Sequence, residues 1–134
     1  RVRFVGEREK FSKDLQDGMR HIEEVTEKVG TITLHLAMSY GGRAEIVQAV
    51  NALLKEKKEN VTEEDVAKKM WTYPMQDPDL IIRTGGVVRL SGFLSWQSVY
   101  SELFFSSTMW PDFSEEEFKN ILKEYEAREQ RHGK

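Results

Sequence analysis

Apolar residues recur at helical spacing in three parts of this chain and are concentrated in short runs in four others. The helical pattern occupies residues 15–25, 46–54 and 118–125. Because a helix returns to the same face every three to four residues, each pattern predicts an amphipathic helix. The short runs are rich in residue types that favour strands, and they occupy residues 1–5, 31–38, 80–82 and 102–105.

Residues that begin and end helices flank these patterns. Ser12 and Thr62 stand at expected N-cap positions, and the acidic residues after Thr62 suit the positive end of a helix dipole. Gly30 is expected to end the first helix. Ser114 and Glu117 have the spacing of a capping box, in which each side chain bonds the other residue's backbone N–H.

The predicted elements alternate between strands and helices along the chain. Their order is strand, helix, strand, helix, short helix, strand, glycine-rich loop with a helix, strand, helix. This order predicts an α/β fold with a mostly parallel sheet flanked by helices. At 134 residues and 39% hydrophobic, residues 1–134 have the length of a single domain. The alternation at residues 1–5 resembles a strand already under way, so we expect a domain fragment.

A candidate anion site follows the strand at residues 80–82. The strand leads into Arg-Thr-Gly-Gly from Arg83, with a second cation at Arg89 and a hydroxyl at Ser91, which is expected to cap a short helix through Gln97. Guanidinium groups suit a diphosphate, and glycines let backbone N–H groups approach it closely. A glycine pair after a strand is also typical of a plain turn, and an arginine of a solvated surface. The pattern alone leaves both interpretations open.

Composition narrows the classes of partner. The net charge is −3 and there is no basic run, which argues against a nucleic-acid partner. The chain has no cysteine, so it forms no disulfide and no thiolate metal site, which is compatible with a reducing cytoplasm. The sequence contains no run of 18 apolar residues, so it predicts no membrane span.

Residues 83–113 resemble the C-terminal signature of the cis-prenyltransferases, the family of undecaprenyl and dehydrodolichyl diphosphate synthases. The matching residues are Arg83-Thr84-Gly85-Gly86, Arg89-Leu90-Ser91, Phe93-Leu94, Trp96-Gln97, Tyr100, Glu102-Leu103, Phe105 and Trp110-Pro111-Asp112-Phe113. A second match to the family consists of Tyr40-Gly41-Gly42-Arg43, Glu45 and Ile46. The resemblance implies that the chain has the C-terminal portion of the cis-prenyltransferase fold.

The resemblance also implies a reaction and the residues that serve it. The family condenses isopentenyl diphosphate with an allylic prenyl diphosphate to make a long-chain polyprenyl diphosphate. Arg83, Arg89 and Ser91 would bind the diphosphate of isopentenyl diphosphate, and Glu102 would be a Mg²⁺ ligand. A carboxylate is a ligand that Mg²⁺ prefers, and Mg²⁺ takes only one or two from the protein.

The C-terminal residues Arg131 and Gly133 match an Arg-x-Gly motif of the family. In the family this motif reaches the diphosphate site of the dimer partner, so the resemblance implies a homodimer. It also implies a cytoplasmic protein with peripheral membrane contact, because a long polyprenyl product must leave into lipid.

The chain departs from the family in length and at two positions. The Met-Asp-Gly-Asn-x-Arg segment, whose aspartate binds metal, is absent, as is the Phe-Ser-x-x-Asn-Trp-x-Arg segment. We therefore expect that catalysis needs a missing N-terminal half and that apolar edges are exposed without it. Val87 replaces the usual glutamate, and Gly92, which we expect to loosen the start of the helix, replaces the usual asparagine.

Two other functions stay open. The chain could be a non-catalytic partner subunit of a heteromeric cis-prenyltransferase, although the retained Arg83, Arg89, Ser91 and Glu102 argue against this. It could also be a regulatory domain that binds phosphate without chemistry. Preference for isopentenyl diphosphate over inorganic phosphate would exclude the regulatory domain.

The run at residues 31–38 also carries two interpretations. Its alternating apolar residues Ile32, Leu34, Leu36 and Met38 share one face. They either form plain core or, as the resemblance implies, line the tunnel that holds the growing prenyl chain. His35 lies on the other face and is expected to be a hydrogen-bonded structural histidine.

Overall fold

The computed structural model describes residues 1–128, which contain both strands and helices. The strands are Val2–Val5 (β1), Leu34–Ala37 (β2), Leu80–Arg83 (β3) and Glu102–Phe105 (β4). The α-helices are Lys13–Val25 (α1), Gly42–Lys55 (α2), Glu63–Lys69 (α3) and Glu115–Ala127 (α4). Short 3₁₀ helices lie at Arg8–Lys10 and Trp110–Asp112. The α/β class predicted from the sequence is confirmed.

The strands pair in parallel within two compact units, Arg1–Met75 and Gln76 onward. In the first unit β1 pairs with β2, from Val2 with Leu34 to Val5 with Ala37. In the second unit β3 pairs with β4. Over residues 1–128 the four strands form these two separate pairs, so the prediction of parallel pairing is confirmed for each.

Glu23 of α1 bonds both β1 and the 3₁₀ helix that begins at Arg8. The two terminal guanidinium nitrogens of Arg8, Nη1 and Nη2, donate to the carboxylate of Glu23 at 2.7 and 2.6 Å. Phe4 N–H donates to the same carboxylate at 2.8 Å. Burial alone would raise the pKa of Glu23, but the bonds from Arg8 and Phe4 and the nearby charges lower it. The carboxylate therefore stays ionised while it joins strand to helix.

A buried carboxylate joins α2 to the segment after α3. Glu45 is 0% exposed, and its Oε1 accepts hydrogen bonds from the N–H and the hydroxyl of Thr72, at 2.9 and 2.8 Å. Its Oε2 accepts the hydroxyl of Tyr40 at 2.5 Å. Since an unpaired buried carboxylate would be strongly destabilising, these bonds explain how a glutamate occupies this core.

Side chains of the apolar run at residues 31–38 lie largely in solvent. Ile32 is 78% exposed and Leu34 54% exposed, and Leu36 also lies in the exposed class. Nothing in the first unit covers these three side chains, so the core and the tunnel interpretations both require further polypeptide to cover them. The expected exposure of apolar residues is confirmed at β2.

Helix ends differ from the sequence prediction at two places. The first helix ends at Val25 with Thr26 as its C-cap, whose N–H bonds the carbonyl of Ile22 at 3.1 Å, so the prediction that Gly30 ends it is wrong. The Ser12 side chain makes no cap hydrogen bond. By contrast, Thr62 and Asp65 form a complete capping box at the start of α3.

The predicted helix beginning at Ser91 is also wrong. Residues 91–100 form consecutive turns, and both Ser91 (φ 53°) and Leu94 (φ 46°) have left-handed backbone conformations. An N-cap residue is normally extended, so a left-handed Ser91 does not start a helix. Its hydroxyl bonds arginine side chains instead of the helix backbone.

Candidate anion-binding site

Two arginines converge on one hydroxyl at the end of β3. Nη1 of Arg83 lies 2.9 Å from Oγ of Ser91, and Nε of Arg89 lies 3.2 Å from the same atom. Nη1 of Arg83 also donates to the carbonyl of Arg89. The structure therefore brings the three predicted diphosphate ligands together.

Neither arginine of this cluster forms an ion pair within residues 1–128. The hydrogen bonds of Arg83 and Arg89 go to neutral oxygens, the carbonyl of Arg89 and the hydroxyl of Ser91. Two guanidinium groups at one hydroxyl leave several charged donors directed at a shared space. Such a cluster favours an anion with several oxygens, because it supplies the missing negative charge.

The loop between the arginines is held by hydrogen bonds that extend the β3–β4 ladder. Ser106 N–H donates to the carbonyl of Arg83, Gly86 N–H to that of Ser106 and Gly85 N–H to that of Thr108, each at 2.8 Å. Gly85 and Gly86 have φ values of 88° and 73°, a region that favours glycine. The N–H groups of Gly85 and Gly86 therefore already bond carbonyl groups in this structure.

An apolar cavity adjoins the arginine cluster. Its volume is about 280 Å³, and it is lined by Ile81, Ile82, Arg83, Thr84, Leu90 and Phe93. A second cavity of about 370 Å³ is lined by Ile82, Thr84, Trp110, Phe113, Ser114, Glu115 and Phe118. Because Arg83 belongs to the first cavity, that cavity suits a ligand with an anionic head and an apolar body.

The predicted metal ligand lies apart from the arginine cluster. Glu102 pairs in register with Leu80, whereas Arg83 pairs with Phe105, so Glu102 and Arg83 are three positions apart along the strands. This is a rise of roughly 10 Å, and the odd offset directs the two side chains to opposite faces. Within one chain, Glu102 and Arg83 therefore lie on opposite faces of this pair of strands.

Arg128, at the end of α4, holds the Glu102 carboxylate. Its guanidinium donates to Oε2 of Glu102 at 2.8 Å and to Glu124 at 2.7 Å, and it lies 3.8 Å from the ring centroid of Phe104. The bond to Glu102 and then the bond to Glu124 raise the pKa of Arg128. Sequence reasoning missed Arg128, whose partner Glu102 lies 26 residues away.

The chemistry of Glu102 fits one ligand of a Mg²⁺ ion. Arg128 bonds one of its two oxygens. Across the described residues 1–128 there is no group of three or more His, Asp or Glu side chains arranged to hold a metal. A Mg²⁺ ion at Glu102 would thus take most of its ligands from phosphate oxygens and water, as Mg²⁺ commonly does.

The structure accounts for the glycine at position 92 but not for the valine at position 87. Gly92 has φ 79°, a left-handed conformation that both glycine and asparagine tolerate. Its expected effect, loosening a helix start, is wrong because no helix begins there. Nothing in the structure explains the valine at position 87. Arg131 and Gly133 lie outside the described residues.

The fold and this cluster define a class: an α/β protein with a two-arginine loop at the carboxyl end of a parallel strand, where such folds commonly bind ligands. The sequence profile described as "Putative undecaprenyl diphosphate synthase" matches residues 1–133. The chain belongs to this prenyltransferase family, and the family resemblance seen in its sequence is confirmed.

Curated relatives agree with the family over the whole chain. An isoprenyl transferase from Thermus thermophilus is 46% identical over 144 residues, covering 100% of this chain and 55% of that protein. One from Aquifex pyrophilus is 43% identical over 134 residues, covering 100% of this chain and 58% of that protein. The chain thus spans little more than half the length of these relatives.

Solved structures show the same fold. A probable undecaprenyl diphosphate synthase from Campylobacter jejuni superposes with a TM-score of 0.90 at 34% identity, covering 100% of this chain and 63% of that one. Lavandulyl diphosphate synthase from Lavandula x intermedia, in complex with dimethylallyl diphosphate, gives 0.91 at 27% identity, with 100% and 60% covered. The prediction of an undecaprenyl diphosphate synthase-like fold is confirmed. Among the helices of residues 1–128, none combines the length and apolar character needed to cross a membrane.

Proposed function

We propose that this chain is the C-terminal part of a cis-prenyltransferase and that Arg83, Arg89 and Ser91 bind the diphosphate of isopentenyl diphosphate. One observation carries the proposal: both guanidinium groups meet at Oγ of Ser91 and lack a carboxylate partner within residues 1–128. The adjoining apolar cavity of about 280 Å³ supports an isoprenyl body on that anionic head.

The proposed reaction condenses isopentenyl diphosphate with an allylic prenyl diphosphate to give a long-chain polyprenyl diphosphate. The names of the relatives support prenyl transfer, and a solved relative is in complex with dimethylallyl diphosphate. In the assembled enzyme Mg²⁺ would neutralise diphosphate charge, with Glu102 as one protein ligand. The arginines orient the nucleophilic substrate by its diphosphate and hold its negative charge.

The proposal includes partners beyond this chain. Catalysis would need the N-terminal part that carries the Asp-Gly-Asn segment, and the pure chain would be inactive. The working form would be a homodimer in which Arg131 and Gly133 contact the partner's diphosphate site, in the cytoplasm with peripheral membrane contact. The exposed apolar side chains of β2 are compatible with a prenyl tunnel completed by the N-terminal part.

Calorimetric titration of the purified chain with isopentenyl diphosphate tests the binding step. Arg83→Gln and Arg89→Gln should each weaken binding about tenfold or more, because each removes charge-assisted hydrogen bonds. Lys123→Gln is the matched control, since it removes one exposed positive charge on α4 away from the cluster. The control should bind like the wild type.

Inorganic phosphate and inorganic diphosphate are the comparison ligands. Isopentenyl diphosphate should bind more tightly than either, since only it places an apolar group in the cavity. Equal affinity for inorganic phosphate would favour a phosphate-binding regulatory domain. No binding of isopentenyl diphosphate by the wild type, at any accessible concentration, would contradict the assignment of the three residues.

A further inference from the structure

We propose that Ser106 and Glu117 are positioning residues that hold the arginine loop in its binding shape. The inference rests on the proposed function, because it concerns affinity for the same diphosphate. Neither residue belongs to the arginine cluster. Both act through the backbone segment at residues 106–108, to which the loop is bonded.

Ser106 is the point where the strand end, the loop and a helix meet. Its side chain is buried, with the residue only 8% exposed. Its N–H donates to the carbonyl of Arg83 and its carbonyl accepts from Gly86 N–H, each at 2.8 Å. The backbone of one residue thus bonds both the first arginine of the site and the glycine turn that follows it.

The hydroxyl of Ser106 fixes this backbone in place. Oγ accepts the N–H of Thr108 at 3.0 Å and donates to Oε1 of Glu117. The carbonyl of Thr108 in turn accepts Gly85 N–H at 2.8 Å. Both N–H groups of the glycine pair therefore bond to residue 106 or 108, and the Ser106 hydroxyl joins these two residues.

Glu117 is suited to anchor the segment because it lies in the first turn of α4. Its own N–H donates to Oγ of Ser114, the N-cap residue, at 3.1 Å. The sequence predicted a full capping box, with the Glu117 carboxylate returning to the Ser114 backbone. Only half of that box forms, since the carboxylate accepts the Ser106 hydroxyl instead. A charged acceptor makes this a strong hydrogen bond.

The consequence of these contacts is preorganisation of the two arginines. Arg83 and Arg89 are separated by a loop that contains two left-handed glycines, which are conformationally free when unpaired. With the segment fastened to α4, the loop is ordered before a ligand arrives. Without the Ser106 hydroxyl, ligand binding must order the loop, and affinity falls.

The first test compares two nearly isosteric variants, Ser106→Thr and Ser106→Val. Threonine keeps the hydroxyl, while valine removes it at almost the same volume. Ser106→Val should bind isopentenyl diphosphate about tenfold more weakly than Ser106→Thr at a temperature where both are folded. The amide protons of Gly85 and Gly86 should exchange faster in Ser106→Val, as measured by NMR without any ligand.

A second pair of variants tests the same positioning role without substituting the buried Ser106. Glu117→Ala deletes the anchor, and Glu116→Ala deletes the neighbouring exposed carboxylate in the same helical turn. Glu117→Ala should reproduce both the weaker binding and the faster glycine exchange, whereas Glu116→Ala should change neither. A purely structural role would lower the thermal midpoint and leave affinity and glycine exchange at wild-type values.

The outcomes separate this inference from the proposed function. If wild type and all variants fail to bind isopentenyl diphosphate, the proposed function is wrong. If the wild type binds and Ser106→Val and Glu117→Ala bind equally well with unchanged glycine exchange, the positioning role is wrong. Faster exchange with weaker binding supports both.

Discussion

His35 has a buried ring nitrogen in the first unit. It pairs in register with Arg3 across β1 and β2, and its Nδ1 is buried with no hydrogen-bond partner in residues 1–128. The prediction of a hydrogen-bonded histidine is therefore wrong at this atom. Burial lowers the pKa of His35, and repulsion by the Arg3 guanidinium lowers it further.

His35 should make the fold sensitive to mild acid. Because its pKa is lower in the folded state than in the unfolded chain, the unfolded chain binds the proton more readily. The free energy of unfolding should be highest above about pH 6.5, the ordinary histidine value, and should fall as the pH drops below it. His35→Gln should reduce that loss between pH 7 and pH 5, measured by urea denaturation at each pH.

Arg3→Gln provides a second test of the acid sensitivity attributed to His35. It removes the neighbouring cation and leaves the imidazole, so its pH dependence should lie between those of wild type and His35→Gln. An unchanged pH dependence in His35→Gln would show that other groups carry the acid sensitivity.

At the scale of elements, the close approach of the backbones after β1 and β2 depends on a glycine. Gly6 follows β1 with φ 116°, and a Cβ atom built on it would lie 2.1 Å from the carbonyl oxygen of Met38. The neighbouring bond from Met38 N–H to the Val5 carbonyl, at 2.8 Å, brings the two backbones this close. Only a residue without a side chain fits here.

Gly6→Ala should lower the free energy of unfolding by about 2 kcal/mol or more, since it combines a backbone clash with left-handed strain. Gly18→Ala is the matched control, because Gly18 lies within α1 and a Cβ there meets nothing within 4 Å. It should stabilise the chain by about 0.5–1 kcal/mol through helix propensity. Urea denaturation of the two variants and wild type measures both, and a neutral Gly6→Ala would contradict the close approach.

Sequence periodicity predicted elements well where local and tertiary preferences agree. The patterns at residues 46–54 and 118–125 lie within α2 and α4. Ser91 shows where local pattern fails. Its residue type suits an N-cap, but its backbone is left-handed and its hydroxyl accepts hydrogen bonds from two arginines. The carbonyl partners of Gly85 and Gly86 lie about 20 residues onward, so local pattern does not reveal that these N–H groups are used.

At the scale of the molecule, the chain spans 55–59% of the length of several curated relatives. Its exposed apolar residues at β2 and on α2, such as Val47 and Leu54, form surfaces that a further polypeptide segment would cover. The proposed metal ligand Glu102 and Arg83 of the cluster lie on opposite faces of β3 and β4. Assembly with other polypeptide is thus part of the proposed function.

The pure chain should show no Mg²⁺-dependent elongation of an allylic diphosphate. Adding the N-terminal part of a relative, with its Asp-Gly-Asn segment, should produce turnover, followed as labelled isopentenyl diphosphate incorporated into extractable lipid. The control is the same mixture with Arg89→Gln, which should stay near background. Clear turnover by the pure chain would contradict the proposed need for an N-terminal part with the Asp-Gly-Asn segment.

The occupied N–H groups of Gly85 and Gly86 have a further consequence. A phosphate cradle built from backbone amides binds through short-range dipoles, which salt affects little. In the proposed site the anion would meet two side-chain cations, one of them exposed, so the attraction would act over longer range and be screened within roughly 8 Å at physiological ionic strength. Ligand occupancy of the proposed site should therefore depend on the ionic strength of its surroundings as well as on the concentration of the ligand.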